Sequence, residues 1–317
     1  MAPNGHSVVV RLRTATGANA PDGRAERSWS LASTVGFIAR HPANRNRRLR
    51  ALGRFAGWQF WKRVIRRPVT ATFSPGLRVR VYPDSKSASL ALYTGLPEYD
   101  DMLFTVRFLM AGDTAIDVGA NIGLYSLLAA ARVGKGKVIA LEPHPVAADR
   151  LRENVALNKL QNVEVRAEAA GAKLGVARLT AKLDTINHIV DDSEVAGSIG
   201  VRVLTLDSLV RPGDQVALVK LDAEGFESEC LLGAVRLLEE RAVVAWIVEI
   251  NGLGDRYGSG DQAILNTFER FGYQAHRYSA DTNQLLEPDQ PTDNVEWNMI
   301  FVRSTGEVEQ RLSAGAQ

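Results

Sequence analysis

The stretch Ala115-Ile116-Asp117-Val118-Gly119-Ala120-Asn121-Ile122-Gly123-Leu124-Tyr125 limits what this chain can fold into more than any other. An apolar run from Thr114 to Val118 stops at Gly119, and Gly123 follows four positions later. Ile122, Leu124, Leu127, Leu128 and Ala131 then recur at helical spacing. Strand, tight turn and helix start, in that order, form the carboxyl edge of a parallel sheet, where α/β proteins hold nucleoside ligands.

The glycine spacing narrows the ligand. A dinucleotide turn reads G-x-G-x-x-G, and its second glycine lets the backbone touch a pyrophosphate. Here that position is Asn121 and the third is Leu124. Gly119 and Gly123 still allow a bend and a close helix-to-strand approach. A less anionic nucleoside such as S-adenosylmethionine (SAM) fits this turn better. The next strand, Lys137 to Leu141, ends in Glu142-Pro143. An acid roughly 20 residues past the turn is placed to accept hydrogen bonds from ribose hydroxyls. A solvated strand end is the plainer alternative.

These motifs resemble the FkbM family. The likeness is carried by Asp117 to Gly123, Glu142-Pro143-His144-Pro145, Leu151 with Asn154, Leu206-Asp207, and Lys220-Leu221-Asp222-Ala223-Glu224-Gly225-Phe226-Glu227. It spans about residues 75 to 303, with the motifs in the family order. His144 and Ala223-Glu224 are mild departures, standing where Asn and Val-Glu are commoner. The resemblance implies a SAM-dependent O-methyltransferase of natural products and sugars, and with it a class I methyltransferase fold. That α/β fold is a Rossmann-like, seven-stranded, mostly parallel sheet with helices on both faces. An N-terminal helical and β-hairpin appendage and a β-hairpin insertion are expected around it. Asp117, Gly119, Asn121, Gly123, Glu142 and Asp222 are the implied cofactor contacts. Glu168 and Ala169 stand where methyltransferases usually meet the adenine ring, although Glu168 reads equally well as solvated. Tyr93, Thr94 and Glu98 are candidates for the methionine end, with packing and helix capping as the alternative.

Composition sets bounds. The 317 residues, 45% hydrophobic and 23% charged, suit one large α/β domain with an appendage. A single cysteine, Cys230, excludes an internal disulfide and a cysteine-based zinc cage. No apolar stretch approaches the roughly 18 residues of a membrane span. Residues 1–20 lack the apolar core of a secretory signal. A reducing cytoplasm is the expected setting.

The net charge of +2 conceals an asymmetry, because residues 1–70 hold 14 Lys/Arg and two acids, leaving −10 for the remainder. Residues 1–28 read as a mobile tail. Residues 29–68 form a basic amphipathic helical segment in which Leu49, Leu52, Phe55, Ala56, Phe60 and Val64 recur at helical intervals, with Trp58 and Trp61 near the apolar border. Packing on the catalytic domain or a second subunit, peripheral contact with an anionic membrane at its inner face, and nucleic-acid binding compete for this segment. Nucleic acid is not expected, since no recognised nucleic-acid fold accompanies the charge.

Residues 69–112 read as a hairpin and helices beside the cofactor site, 113–304 as the SAM-binding domain, and 305–317 as a frayed tail. Within the domain, residues 171–204 break the strand–helix alternation and read as two antiparallel strands flanking a polar stretch with Asn187 and His188. This insertion is a candidate acceptor flap, with His188 as a proton acceptor or simply an exposed loop histidine. Residues 252–260 read as a glycine-rich lid.

The fourth strand, Gln215 to Leu221, delivers Asp222, with Glu224 and Glu227 at the following helix start. Capping is the competing role for Asp222, and the main one for Glu227. The fifth strand, Ala242 to Ile250, ends with Glu249 and Asn251. Methyl transfer to a hydroxyl needs alignment of the reactants and a group to withdraw the proton. Asp222, Glu224, Glu249 and His188 are the candidates, Asp222 and Glu249 foremost. Asp222, Glu249 and Asn251 could hold Mg²⁺, but no metal is favoured. A sugar, glycan, glycolipid or polyketide-type acceptor is expected, and a homodimer stays open. The alternatives are a nicotinamide oxidoreductase and a non-catalytic nucleoside scaffold.

Overall fold

The computed structural model describes residues 31–73, 76–180, 189–190, 198–254, 260–289 and 298–315. The expected tail over 1–28, the stretch with Asn187 and His188, and most of the glycine-rich loop lie outside the described residues.

Two helices, α1 (Leu31–Arg40) and α2 (Arg48–Val64), open the described chain and flank a short turn at Pro42–Asn44. A hairpin of β1 (Val69–Phe73) and β2 (Leu77–Val81) follows, then α3 (Lys86–Thr94) and α4 (Tyr99–Phe108). Ser85 caps α3 by accepting from the Ala88 amide. The α/β repeat then runs through β3 (Thr114–Val118), α5 (Leu124–Val133), β4 (Lys137–Leu141), α6 (Pro145–Leu157) and β5 (Val163–Arg166). Four short strands come next: β6 (Glu168–Ala170), β7 (Gly175–Thr180), β8 (Ile189–Val190) and β9 (Ser198–Leu204). The remainder is β10 (Val216–Leu221), α7 (Glu227–Leu232), α8 (Val235–Glu239), β11 (Val243–Glu249), α9 (Asp261–Arg270), β12 (Gln274–Ser279), β13 (Gln284–Leu286), β14 (Asn298–Val302) and α10 (Thr305–Gly315).

The main sheet has the order β13-β12-β14-β11-β10-β3-β4-β5. β11, β10, β3, β4 and β5 are parallel, and β14 runs antiparallel between β11 and β12. The chain leaves β3 in one direction toward β4 and returns on its other side as β10, which makes the switch point where open α/β sheets bind ligands. Each central strand feeds both faces. Ala245 and Ile247 of β11 join one core with Leu127 and Leu128, while Trp246 and Val248 join the other with Leu237 and Phe268.

Three expectations need correction. The sheet has eight strands rather than seven, because Gln284–Leu286 pairs with β12 as an added edge. The insertion is a four-stranded sheet, β6-β9-β7-β8, in which β7 and β9 form the expected antiparallel pair and β6 lies parallel to β9. Residues 305–315 are a docked helix rather than a tail. Val308 and Leu312 of α10 are buried, and Arg311 bonds Asp113 at 2.8 Å while stacking over Phe108. Two apolar residues four apart fix that helix, too few for a periodic signal.

The inward face of α2 is not the side with the longest apolar run. Ala51, Phe55 and Trp58 are its buried residues, whereas Leu49, Ala56, Phe60 and Val64 face outward. The small Ala51 side chain permits close approach to the body. The Trp58 indole donates to Ser89 Oγ at 2.9 Å, and Arg54 donates to the Tyr93 carbonyl at 2.9 Å. Those polar anchors set the rotation of α2, and a hydrophobicity pattern does not register them.

Candidate active site

The carboxyl ends of β3, β4 and β10 meet at one cleft. Gly119 has φ +74°, and a Cβ there would lie 1.7 Å from the Asp222 carbonyl oxygen. Only glycine lets the first and fourth strands of the repeat end so close together. Gly123, at φ +91°, fits against Leu151, which a Cβ would reach at 2.1 Å. Between them Asn121 takes a left-handed conformation, φ +50°. Its amide donates to Glu142 Oε2 at 2.8 Å, and its side chain donates to Ser87 Oγ of α3 at 3.2 Å.

Glu142 is fixed from both sides. Its Oε2 accepts from Asn121 and its Oε1 from the His144 amide, also at 2.8 Å. Each carboxylate oxygen keeps a further lone pair for a ligand. Burial pushes Glu142 up to about 7, with the two amides opposing and Asp117 and Asp222 adding to the rise. Asp117 is pushed up to about 6, chiefly by burial, and accepts from Ser126 Oγ.

On the other side of the cleft, Lys220 is buried with Nζ 3.2 Å from Asp222 Oδ2 and 3.2 Å from Asn298 Oδ1. Burial would lower this lysine, but Asp222, Glu98, Glu249 and Asp101 outweigh it and hold the ammonium charged. Asn298 donates in turn to Glu98 and Asp101 at 2.8 and 2.9 Å, and the Tyr125 hydroxyl donates to Glu98 at 2.8 Å. Glu249 is raised well above its ordinary value by burial and by Asp222 and Glu224, with Lys220 opposing. Its Oε2 is a buried atom without a hydrogen-bond partner among the described residues.

Of the candidate residues, Asp117, Gly119, Asn121, Glu142, Glu168, Ala169, Asp222, Glu224 and Glu249 line this one cleft. Gly123 stands behind it as the residue preceding α5. Glu168 pairs with Arg202 at 2.7 Å, so it is anchored rather than freely solvated. Glu98 lines the cleft as expected, but Tyr93 and Thr94 do not. Tyr93 packs against Phe55 and accepts from Gln59, and Thr94 bonds the Leu90 carbonyl. Asp222 makes no cap on α7, whose preceding residue is Phe226. Glu227 does serve the helix start, accepting from the Ala223 and Gly225 amides.

Asn251 Oδ1 accepts from the Leu253 amide at 2.9 Å. Oxygens of Asp222, Glu227 and Glu249 lie within 4.8 Å of one another. Such an all-oxygen set suits a hard divalent cation, yet the Lys220 ammonium already supplies a counter-charge beside Asp222. The site also holds Ser87 and Asn298, which no local motif marks. Asn298 carried a faint signal, a polar residue opening an otherwise apolar strand.

A switch-point cleft, a turn with Asn121 and Leu124 where a dinucleotide turn has glycines, and an acid after the second parallel strand are the features of a class I methyltransferase. The Methyltransferase FkbM domain model matches residues 117–275, half of the chain, and the chain belongs to that family. The matched region is a SAM-dependent methyltransferase domain. Ribosomal protein L11 methyltransferase of Clostridium perfringens is 28% identical over 128 residues, 38% of this chain and 39% of that protein. Methyltransferase sdnD of Sordaria araneosa is 35% identical over 81 residues, 26% of this chain and 30% of that protein. The chain thus spans well under half the length of these curated relatives. Among solved structures, a SAM-dependent O-methyltransferase from Thermotoga maritima has TM-score 0.38 and 14% identity, covering 74% of this chain and 77% of that one.

Proposed function

We propose that this protein transfers a methyl group from SAM to a hydroxyl of an uncharged acceptor, such as a sugar, a glycan or glycolipid, or a polyketide-type natural product. The observation that carries this reading is the acidic lining of the cleft. Among the described residues seven acids line it, namely Glu98, Asp117, Glu142, Glu168, Asp222, Glu224 and Glu249, and Lys220 is the one Lys or Arg beside them. Such a lining offers hydroxyls many hydrogen-bond acceptors.

SAM supplies an electrophilic methyl on a sulfonium. The chain's own groups do the rest. Glu142 holds the ribose hydroxyls, the Gly119–Gly123 turn accommodates the nucleoside, and Ala169 with Glu168 faces the adenine. Lys220 neutralises and orients Asp222. Glu249, with a buried oxygen that has no hydrogen-bond partner among the described residues, withdraws the acceptor's hydroxyl proton once it is ionised. Closure of the cleft aligns the reactants and excludes water. His188 lies outside the described residues and is given no role.

The same acidic lining admits an amine, and the clostridial relative is named as a ribosomal protein methyltransferase. Protein is therefore a second acceptor class. An assay with radiolabelled methyl SAM tests both, using panels of glycosides, polyketides, ribosomal protein and RNA. Label in a neutral hydroxyl compound supports the proposal, while label confined to protein or RNA refutes it.

A further inference from the structure

The outer face of α2 serves no purpose in the chemistry above. At 100° per residue, Leu49, Phe60 and Val64 fall within one narrow stripe, opposite the buried Ala51, Phe55 and Trp58. Their exposures of 86%, 64% and 58% show that the body leaves this stripe uncovered. Ala56 is exposed on the same side, and a Cβ at Gly53 or Gly57 would meet nothing within 4 Å. Trp61 and Ile65 extend the apolar surface at its C-terminal end, at 38% and 41% exposure. The stripe runs most of a 17-residue helix, about 25 Å.

Charge identifies the occupant. Arg48, Arg50, Arg63, Arg66 and Arg67 are exposed around the stripe, and the sequence holds no acid between Glu26 and Asp84. A second copy docked face to face would bring like charges together without a compensating carboxylate. Nucleic acid would answer the arginines but leave Leu49, Phe60 and Val64 unburied. An anionic lipid surface satisfies both halves, with the apolar stripe in the acyl boundary and the guanidiniums among the headgroups.

We infer that α2 is an interfacial helix that docks the protein on an anionic membrane. The arrangement reaches the cleft through α3, which packs against α2 through Ser89 and Tyr93 and presents Ser87 to Asn121. Docking therefore sets the cleft at a fixed height above the lipid. The inference stands on α2 alone and does not require the acceptor class proposed above.

Vesicle co-sedimentation of the full chain, without SAM, is the test. The protein is expected to sediment with phosphatidylcholine vesicles containing phosphatidylglycerol and to remain in solution with phosphatidylcholine alone. Phe60→Ser and Val64→Ser are each expected to weaken partitioning by about tenfold. Arg50→Gln and Arg63→Gln are each expected to weaken it by about fivefold. Because these side chains are exposed, the melting temperature of each variant should match the parent, and Leu49→Ser provides an independent third apolar variant. Several results would overturn the inference. One is no sedimentation with anionic vesicles, and another is sedimentation indifferent to the three apolar variants. A dimer by light scattering that Phe60→Ser dissolves would do the same, as would RNA binding that the arginine variants abolish while vesicles compete poorly.

Discussion

Lys220 Nζ and Asp222 Oδ2 lie 3.2 Å apart at the end of β10, the lysine buried within the strand and the aspartate at its mouth. A lysine in a strand whose other residues are apolar is costly unless its charge is matched. Here Asp222, Glu98, Glu249 and Asp101 match it together, and Asn298 ties it to α4 and β14. The pair anchors the acidic half of the cleft.

Removing that cation should therefore be structural as well as catalytic. Lys220→Met is expected to destabilise the protein by about 3–5 kcal/mol, the usual cost of breaking one partner from a buried ion pair. Thermal or urea unfolding would check this, and an unchanged midpoint would mean the carboxylates do not depend on Lys220.

Glu249 is the group assigned to proton removal. Glu249→Gln is expected to lower kcat by at least about 100-fold, the range of general base catalysis. Its affinity for SAM should stay near that of the parent. A variant with the parent's kcat would shift the role to Asp222.

Three buried acids should each take stability from the apo protein as pH rises from about 4.5 to about 7. The buried His41 and half-buried His276, whose values are lowered by burial, act in the opposite sense. Burial raises Glu142 and Glu227 to about 7 and Asp117 to about 6 in the folded state. In that window the unfolded chain has released protons from these acids that the folded chain retains, so their contribution to stability falls with rising pH. Glu164 and Glu307, lowered chiefly by hydrogen bonds from Lys137 and Arg303 respectively, work in the opposite sense at lower pH. Comparing melting curves of the parent and Glu142→Gln isolates one contribution. The variant's melting temperature should vary less across this window, and parallel curves would refute the assignment.

Metal removal should leave methyl transfer unchanged. Lys220 supplies the counter-charge beside Asp222, and Asn251 is committed to the Leu253 amide. Activity after EDTA treatment, with and without added Mg²⁺, decides this. A loss restored by Mg²⁺ would make Asp222, Glu227 and Glu249 a metal site.

The strand ends of the cleft were legible because each is written locally. Val118-Gly119 and Leu141-Glu142 are adjacent in sequence, and β3 and β4 fall at the expected boundaries. The first turn of α6 was legible too, since Pro145 fixes the first helical residue. What escaped depends on distant segments meeting. Ser87 reaches Asn121, and Asn298 reaches Lys220 and Glu98, through folding that no local pattern encodes. Which face of α2 packs on the body is settled in the same way. Trp58 and Arg54 choose its rotation by bonding α3, overriding the stronger apolar periodicity of Leu49, Phe60 and Val64.

The central claim is that one nucleoside binds with its ribose on Glu142. Calorimetric titration of S-adenosylhomocysteine into the parent and into Glu142→Ala tests it most directly. Each hydrogen bond to a charged acceptor is worth about 1.5–3 kcal/mol, so the variant should bind at least about tenfold more weakly. No heat with the parent, or equal affinity in the folded variant, would contradict the account.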